Sequence, residues 1–567
     1  MQCTAFQLIS LVAKAVGVVA AVLLARGIVW LVNLLLVAPW LDPLRNLPGP
    51  NGSAFQSHFD EVDDPDITPK IYHDWTTQFG KTFRFHGFGR HDYRLMSFDF
   101  RVVSHVLTSP TYQKPWQTRA YLARLLGRGV FNMEGAEHRA MRKLIAPVFT
   151  AQAVKGVAPI FFQKADELRD CWDALIANSS AFESSSTTFD VAHWISRTTF
   201  DIFGLAGFNY HFKALHDESE EVYSAYRRMF AISDKASLLR VYKQLYLPII
   251  EKICPDEDDR ITQRCLKIIR ECGMGLIQTK RRAAVDDEKA DLQSEEKDIL
   301  SLLMKSNLSS DPSNRMSETE LLDQLTSFLF AGSDTTALAT TWCLHFLSIH
   351  PEIQKRLRAE IVSCGSDAAA TSKRNSTTSM SSTSQADRID SLPFLDAVLR
   401  ETLRVCPPVH GTLRVATADD LIPISSPVVL RDGTVIHETE HVRIRKGSAV
   451  HIPLEGINMS EDIWGSDARQ FNPDRWTSLP ASAHPPIFPG LANVMSFSLG
   501  RAACPGYRFA LLEAKVVLAT ILPHFMFSPA EGVEIGKYNS VVTKPFVRGQ
   551  LQSGGIQLPL NVTRCVD

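Results

Sequence analysis

The chain has 567 residues, of which 45% are hydrophobic, and its formal net charge is −2. This near-neutral balance excludes the strongly basic surface of a nucleic-acid-binding protein, and the length allows one large core or several smaller ones. Ten cysteines occur without recurrent paired spacing, which disfavours a zinc site or a disulfide framework and fits a reducing compartment.

The first forty residues form an almost entirely apolar segment, in which Lys14 and Arg26 carry the charges. Because about twenty apolar residues span a bilayer, residues 1–42 are predicted to be a membrane anchor. Two placements compete. Residues 8–25 must tolerate Lys14, and residues 27–41 are short unless Arg26 snorkels to the interface. A buried N-terminal helix is the alternative.

Beyond this segment, local signals predict a hinge, short strands and then helices. Three prolines in residues 43–50 prevent a continuing helix and predict a stiff hinge. Residues 81–86 and 94–98 have the pattern of short strands around a turn, and helical patterns dominate afterwards. Residues 366–390 are rich in serine and threonine and cannot bury enough apolar surface to order themselves. We predict a flexible insertion there, because motifs of one catalytic unit lie on both sides.

A first polar pair occurs where an amphipathic helix is predicted to begin, at residues 135–143. His138 and Arg142 are four residues apart, so they share a helix face. In isolation such a face is usually solvated.

A long helix is predicted from the capping box formed by Ser317 and Glu320. The helical pattern continues for about 33 residues to His350, where Pro351 stops it. Its middle has the sequence Ala331-Gly332-Ser333-Asp334-Thr335-Thr336.

The small residues of this middle stretch allow a flat cofactor to lie against the helix. Gly332 and the neighbouring hydroxyl groups favour a local opening of the helix. Asp334 beside Thr335 offers an acid and an alcohol that can relay protons through water. The alternative is a helix with a polar stripe.

A second polar pair is Glu401 with Arg404, three residues apart in an apolar helical pattern that Pro407 ends. By itself such a pair is usually exposed and contributes little to stability. If the pair is buried, it needs further hydrogen bonds, which Arg475 could supply.

The last motif is a loop with a lone cysteine, Cys504, directly before an apolar helical pattern. Unpaired backbone N–H groups at a helix N-terminus lower the pKa of a thiol and favour a thiolate that can ligate a metal. Gly500 and Gly506 allow the backbone to approach a large flat group closely. The alternative is a buried loop cysteine near a helix.

Together these motifs resemble, in their order and over nearly the whole chain, the signatures of cytochrome P450 enzymes. The haem-binding signature of that family is Phe-x-x-Gly-x-Arg-x-Cys-x-Gly, and Phe497, Gly500, Cys504 and Gly506 match it in register. The resemblance implies that Cys504 is the axial thiolate ligand of a haem b iron.

The resemblance also implies contacts with the haem propionates. The family usually has Trp-x-x-x-Arg where this chain has His138 and Arg142. The signature arginine is replaced by Ala502, with Arg501 one residue early. Many family members place a propionate-binding arginine where this chain has Arg414, which could make the contact that Ala502 cannot make.

Two further sets of residues acquire implied roles. Asp334 and Thr335 match the oxygen-activation motif of the family and are the implied catalytic residues. Glu401, Arg404 and Arg475 match the Glu-x-x-Arg motif and its arginine partner, whose implied role is structural.

The implied fold is the cytochrome P450 fold, mainly α-helical with a small β-rich part, in which residues 51–567 form a single catalytic haem domain. The implied function is a monooxygenase that inserts one oxygen atom from O2 into a hydrophobic small molecule, such as a terpenoid secondary metabolite or a polycyclic aromatic xenobiotic. Electrons would come from NADPH through a separate NADPH–cytochrome P450 reductase. The anchor and hinge resemble those of microsomal members, and the insertion together with the hinge resembles fungal members. This resemblance implies that the protein is anchored in the endoplasmic reticulum membrane, with its catalytic domain in the cytosol.

Two other functions stay open. A haem-thiolate isomerase or dehydratase would need no reductase, and the pair Asp334-Thr335 argues against it. A degenerate, non-catalytic haem binder is favoured by Ala502 alone.

Overall fold

The computed structural model describes residues 2–52, 57–87, 89–179, 186–235, 253–290, 298–309, 315–374, 382–484 and 493–565, together with residues 237, 240, 243, 244 and 246. Helices predominate and the strands are short, which confirms the predicted mainly α-helical class with a small β-rich part.

The helices and strands follow in chain order. The helices are α1 Gln2–Val32, α2 Ala38–Leu41, α3 Phe59–Asp63, α4 Thr68–Phe79, α5 Phe100–Thr108, α6 Trp116–Leu126, α7 Gly135–Ile145, α8 Ala151–Ser179, α9 Val191–Phe208, α10 Glu221–Asp234, α11 Glu257–Ala290, α12 Ile299–Ser309, α13 Glu318–Ile349, α14 Pro351–Arg374, α15 Ser382–Asp390, α16 Pro393–Val405, α17 Leu454–Asn458, α18 Glu461–Trp464, α19 Tyr507–Ile521 and α20 Leu551–Gly554. The strands are β1 Thr82–His86, β2 Tyr93–Ser97, β3 Tyr112–Gln113, β4 Ser186–Asp190, β5 Thr412–Ala416, β6 Asp420–Pro423, β7 Val428–Val429, β8 Val435–Ile436, β9 His441–Ile444, β10 Ala449–Ile452, β11 Phe525–Pro529, β12 Ile535–Asn539, β13 Thr543–Val547 and β14 Pro559–Arg564.

The apolar N-terminal segment is helical almost throughout, with a π-helical turn at Asn33–Val37 between α1 and α2. Within the described residues, Gly17–Leu41 is long and apolar enough to cross a membrane, with a mean hydropathy of 2.3 and none of its window buried. This span excludes Lys14 and includes Arg26, so it overlaps both predicted placements. Its exposure does not fit the alternative of a buried helix.

The chain forms two compact units. The first comprises Met1–Gln113 and Leu413–Ile452, and the second comprises Lys114–Thr412 and Pro453–Asp567. All predicted site residues except Arg414 belong to the second unit. The prediction that residues 51–567 form one catalytic domain stays a prediction.

The first unit contains a five-stranded sheet with the order β1-β2-β10-β5-β3. β1 and β2 are antiparallel, with Arg84 opposite Leu95, and β10 pairs with β2 in parallel, with Val450 opposite Leu95. Phe83 and Phe85 of β1 are fully buried. Both predicted strands are present within one residue of their predicted bounds.

The proline hinge packs on this sheet. The backbone N–H of Arg84 donates to the Pro48 carbonyl at 2.9 Å, and Leu44 and Leu47 are buried. Gly49 has φ +154°, and a Cβ atom there would lie 1.9 Å from the Arg84 carbonyl oxygen. A side chain at Gly49 would therefore clash with β1, and the hydrogen bond from Arg84 holds the hinge on this strand.

The second unit is built around α13, called here the long helix. The predicted capping box is present: Glu320 N donates to Ser317 Oγ at 3.3 Å, and Ser317 N donates to Glu320 Oε2 at 2.8 Å. The helix has 32 residues, so it is about 48 Å long. Its residues share one large core with side chains of α8, α9 and α19, among them Phe161, Phe203 and Val516.

The predicted insertion at 366–390 lies partly in helices. α14 continues to Arg374, and α15 spans Ser382–Asp390 with Ala386 and Ile389 buried. Helical structure therefore extends into this stretch from both sides, and on the C-terminal side Ala386 and Ile389 supply apolar anchors. Residues 375–381 lie outside the described residues.

Candidate functional site

The middle of the long helix has one face that is not buried. Among residues 321–344, Ala331, Gly332 and Thr335 are half-exposed, whereas their neighbours are buried. Ala331, Thr335 and Ala339 are four residues apart and lie on one face of the helix. Ala339 packs in an apolar cluster that also contains Cys504. This face of the long helix is therefore directed toward the cysteine loop.

Gly332 has a different function from the predicted one. A Cβ atom at this position would lie 2.1 Å from two ring carbons of Phe203 on α9. The glycine thus makes room for a packed aromatic ring rather than for a flat cofactor. The half-exposed surface that remains for a ligand is that of Ala331 and Thr335.

The helix is also continuous through this stretch, so the predicted local opening is wrong. The Thr335 hydroxyl donates to the Ala331 carbonyl at 2.7 Å, and the Ser333 hydroxyl donates to the Leu329 carbonyl at 2.6 Å. These bonds add to the backbone ladder without breaking it, because each spans four residues along the helix.

Asp334 lies on a different face from Thr335 and is buried. Its carboxyl group borders a cavity of about 30 Å³, whose lining includes Arg227 and Lys544. That volume is enough for about one water molecule. Burial raises the pKa of Asp334, while the charges of Lys544 and Arg227 lower it. The acid is therefore set in a polar, water-sized space beside the helix.

Cys504 lies between two short 3-10 turns and α19, called here the cysteine helix. Its backbone N–H donates to the Phe497 carbonyl at 2.8 Å, which closes the loop. Gly500 has φ +61°, a conformation that glycine adopts without strain. Gly506 is the N-cap of the cysteine helix, and a Cβ atom there would make only an ordinary contact of 3.5 Å with Phe149.

The protonation of Cys504 differs from the prediction. Burial raises the pKa of the Cys504 thiol to about 11, against the opposing effects of the Gly506 N–H group and the Arg142 charge. The helix terminus by itself therefore does not create a thiolate, because desolvation outweighs it. Coordination to a metal removes the proton of a thiol outright.

His138 and Arg142 are half-buried on one face of α7. Burial lowers the pKa of the Arg142 guanidinium, and the nearby Cys504 acts in the opposite direction. Burial, together with the charges of Lys114, Arg142 and Arg501, lowers the pKa of His138 to about 4. The structure therefore brings His138 and Arg142 together with Arg501 in the region of Cys504.

The position of Arg501 bears on the missing signature arginine. Ala502 lies in the 3-10 turn Gly500–Ala502 and has no polar side chain to offer. Arg501, one residue earlier, is close enough to His138 to affect its pKa. Arg414 belongs to the first unit, where its Nη1 donates to the Leu413 carbonyl at 2.9 Å.

Glu401, Arg404 and Arg475 form one buried network. Arg404 Nη2 and Nε donate to the two oxygens of Glu401 at 2.8 and 2.9 Å, and Arg475 Nε donates to Glu401 Oε1 at 3.1 Å. The Trp476 indole N–H and the Asn472 backbone N–H donate to the same carboxylate at 3.0 and 2.9 Å. Such complete hydrogen bonding is what a buried charge requires.

Asn458 connects this network to the cysteine loop, and no sequence pattern singled it out. Arg404 Nη1 donates to the Asn458 carbonyl at 2.8 Å. The Asn458 side chain accepts from Met495 N at 2.9 Å and donates to Ser496 Oγ at 3.0 Å. Arg227 and Lys544 beside Asp334 were missed as well, because they are far away in sequence and carry no motif.

These residues fit a haem group on three observations. Among the described residues, the half-buried Arg142 guanidinium has no hydrogen-bonded acid partner, as expected of a cation that pairs with a propionate. At Gly506 a Cβ atom would meet only Phe149, at an ordinary 3.5 Å, and the half-exposed face of Ala331 and Thr335 belongs to the helix that packs beside Cys504. A cysteine thiolate is one of the axial ligands that proteins use for haem iron.

Comparisons with known proteins agree with this geometry. The family description Cytochrome P450 matches residues 47–551 of the chain. Cytochrome P450 monooxygenase 128 of Postia placenta is 34% identical over 99% of this chain and 100% of its own length. Cytochrome P450 monooxygenase 205 of the same fungus is 35% identical over 94% of this chain and 95% of its own length. Ganoderic acid synthetase CYP5150L8 of Ganoderma lucidum is 32% identical over 86% of this chain and 89% of its own length.

The match extends from the proline hinge to beyond the cysteine helix, and the relatives are aligned over most of their own length. It confirms the predicted fold class and the predicted enzyme class, a P450 monooxygenase, for which haem iron with a cysteine thiolate is implied. The chain belongs to the cytochrome P450 family.

Proposed function

We propose that this protein inserts one oxygen atom from O2 into a hydrophobic small molecule at a haem held by Cys504. One observation carries the proposal: Cys504 packs in the same apolar cluster as Ala339, on the helix face that carries Thr335. The haem supplies the activation of oxygen. The side chains of the protein hold the group, exclude water and move protons.

Each predicted site residue has a distinct proposed role. Cys504 is the axial ligand, and Arg142, with His138 and Arg501, binds the propionate side. Phe497, Gly500 and Gly506 shape the ligand loop. The positive charges around Arg142 favour the binding of an anion here, because a half-buried guanidinium forms strong, charge-assisted hydrogen bonds with a carboxylate. Arg414 is a further propionate candidate, from the first unit.

Proton delivery is proposed for Asp334 and Thr335. Asp334 borders the water-sized cavity, and Thr335 lies on the half-exposed face. The structure contains no hydrogen bond between the two side chains within the described residues, so a proton passing between them must move through water. The Thr335 hydroxyl can turn from the Ala331 carbonyl to a water molecule at the cost of one hydrogen bond, about 1 kcal/mol.

Apolar side chains around the long helix support a hydrophobic substrate, such as a terpenoid secondary metabolite or a polycyclic aromatic xenobiotic. Phe230 stacks on Phe330 with ring centroids 4.8 Å apart and an interplanar angle of 10°. Phe330 directly precedes Ala331, and Phe203 fills the space at Gly332. These aromatic side chains make the surroundings of Ala331 apolar, which suits a hydrophobic substrate.

Electrons are proposed to come from NADPH through a separate NADPH–cytochrome P450 reductase. The Gly17–Leu41 helix fits an anchor in the endoplasmic reticulum membrane, with the catalytic domain on the cytosolic side. A reductase in the same membrane would then reach the protein by lateral diffusion.

The test combines spectroscopy with turnover. Full-length protein in lipid vesicles is reduced under carbon monoxide, and a red-shifted Soret band of the thiolate type is expected. Cys504→Ala should lose this band, whereas the control Cys364→Ala, another half-buried free thiol, should keep it. A retained thiolate band in Cys504→Ala would contradict the ligand assignment.

Turnover then separates the proposed functions. With reductase, NADPH and a panel of apolar compounds, we expect consumption of oxygen and NADPH together with oxygenated product. Conversion of a substrate without reductase would instead indicate a haem-thiolate isomerase or dehydratase. Haem binding without any turnover across the panel would favour the non-catalytic binder.

A further inference from the structure

A cavity in the second unit lies apart from the residues of the candidate site. It has a volume of about 660 Å³ and is lined by residues of α14, α15 and the C-terminal end of the cysteine helix. Cavities that bind small molecules typically have volumes of about 300–1,000 Å³. Its lining contains four basic side chains, those of Lys355, Arg358, Arg388 and His524, and no Asp or Glu among the described residues.

Three acidic side chains on the same helices are bound elsewhere. Both carboxylate oxygens of Glu360 on α14 accept hydrogen bonds from backbone N–H groups at the start of α16, at 2.8 and 2.9 Å. On α15, Asp387 pairs with Lys155 at 2.6 Å, and Asp390 pairs with Lys515 at 2.8 Å. None of these carboxylates neutralises a basic side chain of the cavity.

Two half-buried arginines carry most of the charge that the cavity offers to a ligand. Arg358 Nε and Nη2 donate to the Pro523 carbonyl at 3.2 and 3.0 Å, which fixes the guanidinium just beyond the cysteine helix. Arg388 Nε is buried and has no hydrogen-bond partner in the described part of the chain, where neither arginine forms an ion pair. A guanidinium in this situation gains charge-assisted hydrogen bonds when a carboxylate or a phosphate binds.

Much of the remaining lining is apolar. Ile361 and Val362 come from α14, Ile389 from α15 and Ala519 from the cysteine helix. Ile361, Ile389 and Ala519 are buried in the walls. A ligand that uses the whole cavity therefore has an apolar body in addition to its negative charge.

We propose that this cavity binds an amphiphilic organic anion, with a carboxylate or phosphate head on an aliphatic chain. Arg358 and Arg388 bind the head, Lys355 adds a positive charge from its exposed position, and the apolar side chains contact the chain. A free fatty acid and an acidic membrane lipid share this chemistry. The inference goes beyond the proposed function, because no residue of the haem site lines the cavity.

Two half-buried cysteines in the lining, Cys364 and Cys565, allow binding to be measured directly. Full-length protein in discs of neutral phosphatidylcholine is treated with iodoacetamide, an uncharged reagent, and mass spectrometry follows the alkylation of each cysteine. Decanoate should slow the alkylation of both cysteines several-fold. Cys171, which is half-buried but does not line the cavity, should react at an unchanged rate.

Further ligands test the two parts of the proposed anion and its source. Acetate has the charge without the chain and decanol has the chain without the charge, so neither should protect the cysteines at the same concentration. Protection in discs that contain phosphatidic acid, without decanoate, would identify a membrane lipid as the source, whereas protection by decanoate alone would identify a free amphiphile. Equal protection by decanol, protection by neither anion, or protection only by the reductase would overturn the proposal.

Substitutions test the assigned head group contacts. Arg358→Gln and Arg388→Gln should each raise the decanoate concentration for half-protection about ten-fold, because each removes charge-assisted hydrogen bonds. Arg356→Gln is the matched control on α14, since Arg356 pairs with Asp474 at 2.6 Å and does not line the cavity. If Arg358→Gln does not fold, Arg388→Gln decides, and wild-type protection in it would overturn the proposal. The readout involves no haem chemistry, so failure of the proposed function would leave it unchanged.

Discussion

Asn458 and Met495 are joined by a hydrogen bond of 2.9 Å, from the backbone N–H of Met495 to the side-chain oxygen of Asn458. Through this bond, and through the bond from Arg404 to the Asn458 carbonyl, the buried Glu401 network reaches the loop that carries Cys504. The structural network and the ligand loop are therefore one connected assembly rather than two separate features.

Asn458→Ala should weaken the ligand loop without unfolding the protein. The Met495 N–H group loses its buried partner, at a cost of about 1–3 kcal/mol. We expect faster loss of haem to an acceptor protein and a lower unfolding temperature. Asn46→Ala, at an exposed position, is the control and should match the wild type in both measurements. Equal haem loss in the two variants would show that Asn458 does not support the loop.

Glu401→Ala should destabilise the protein strongly, because it leaves two buried arginines without their shared carboxylate. Breaking a buried pair in this way typically costs about 3–5 kcal/mol. Urea unfolding of haem-loaded protein measures the effect, together with the haem content of the purified variant.

The matched control for Glu401→Ala is Glu461→Ala. It removes an exposed ion pair, in which Glu461 Oε1 lies 3.7 Å from Arg469 Nε. Exposed pairs contribute about 0–1 kcal/mol. Similar losses in the two variants would contradict a structural role for the Glu401 network.

Thr335→Ala should uncouple the reaction while the protein keeps its haem and its carbon monoxide spectrum. A proton relay typically contributes about 10²–10⁴-fold to the rate. Without the hydroxyl, more of the consumed NADPH should appear as hydrogen peroxide and less as product. Thr335→Ser, which keeps the hydroxyl, should restore much of the coupling.

Thr340→Ala is the matched control, because the Thr340 hydroxyl also donates to a helix carbonyl, that of Thr336, at 2.9 Å. It is buried. Loss of coupling in Thr340→Ala to the same degree would indicate a helix-stability effect rather than proton delivery.

Lys544→Gln should move the pH dependence of turnover. The charge of Lys544 lowers the pKa of Asp334, against the effect of burial. Removing that charge raises the pKa, so the Asp334 carboxylate forms only at higher pH, and the acid limb of the rate profile should move to higher pH. Rates of product formation are measured across pH with reductase in excess.

Lys537→Gln serves as the control on the same hairpin. Lys537 pairs with Glu455, whereas Lys544 pairs with Asp234 and its charge acts on the pKa of Asp334. Its rate profile should keep the wild-type acid limb. An unchanged limb in Lys544→Gln, or a shift to lower pH, would remove Asp334 from the proton path.

Deletion of residues 2–41 should release much of the protein from membranes while haem binding survives, because the Gly17–Leu41 span has no buried part. Deletion of residues 2–47 should in addition lower the unfolding temperature, since Leu44 and Leu47 are buried within the first unit. Membrane flotation and thermal unfolding measure the two effects. Loss of haem from a well-expressed 2–41 deletion would show that the segment belongs to the core.

The sequence by itself determined the elements that depend on local signals. The capping box at Ser317, the stop at Pro351, the strand at 82–86 and the helix after Cys504 are set by side chains within a few residues of each boundary, where caps, prolines and periodicity act. The family motifs were likewise enough to identify the family, because the residues of each motif lie close together in the sequence and the motifs follow in the order that the family has.

Only the tertiary structure decided how these motifs are used. Gly332 accommodates Phe203, which is 129 positions away, and the pKa of Cys504 follows from burial rather than from the helix terminus. The partners of Asp334 and the Asn458 bridge also depend on contacts between distant segments. The desolvation of a side chain and its hydrogen-bond partners are set by the packing of distant segments in the core. The sequence around a residue therefore does not reveal them.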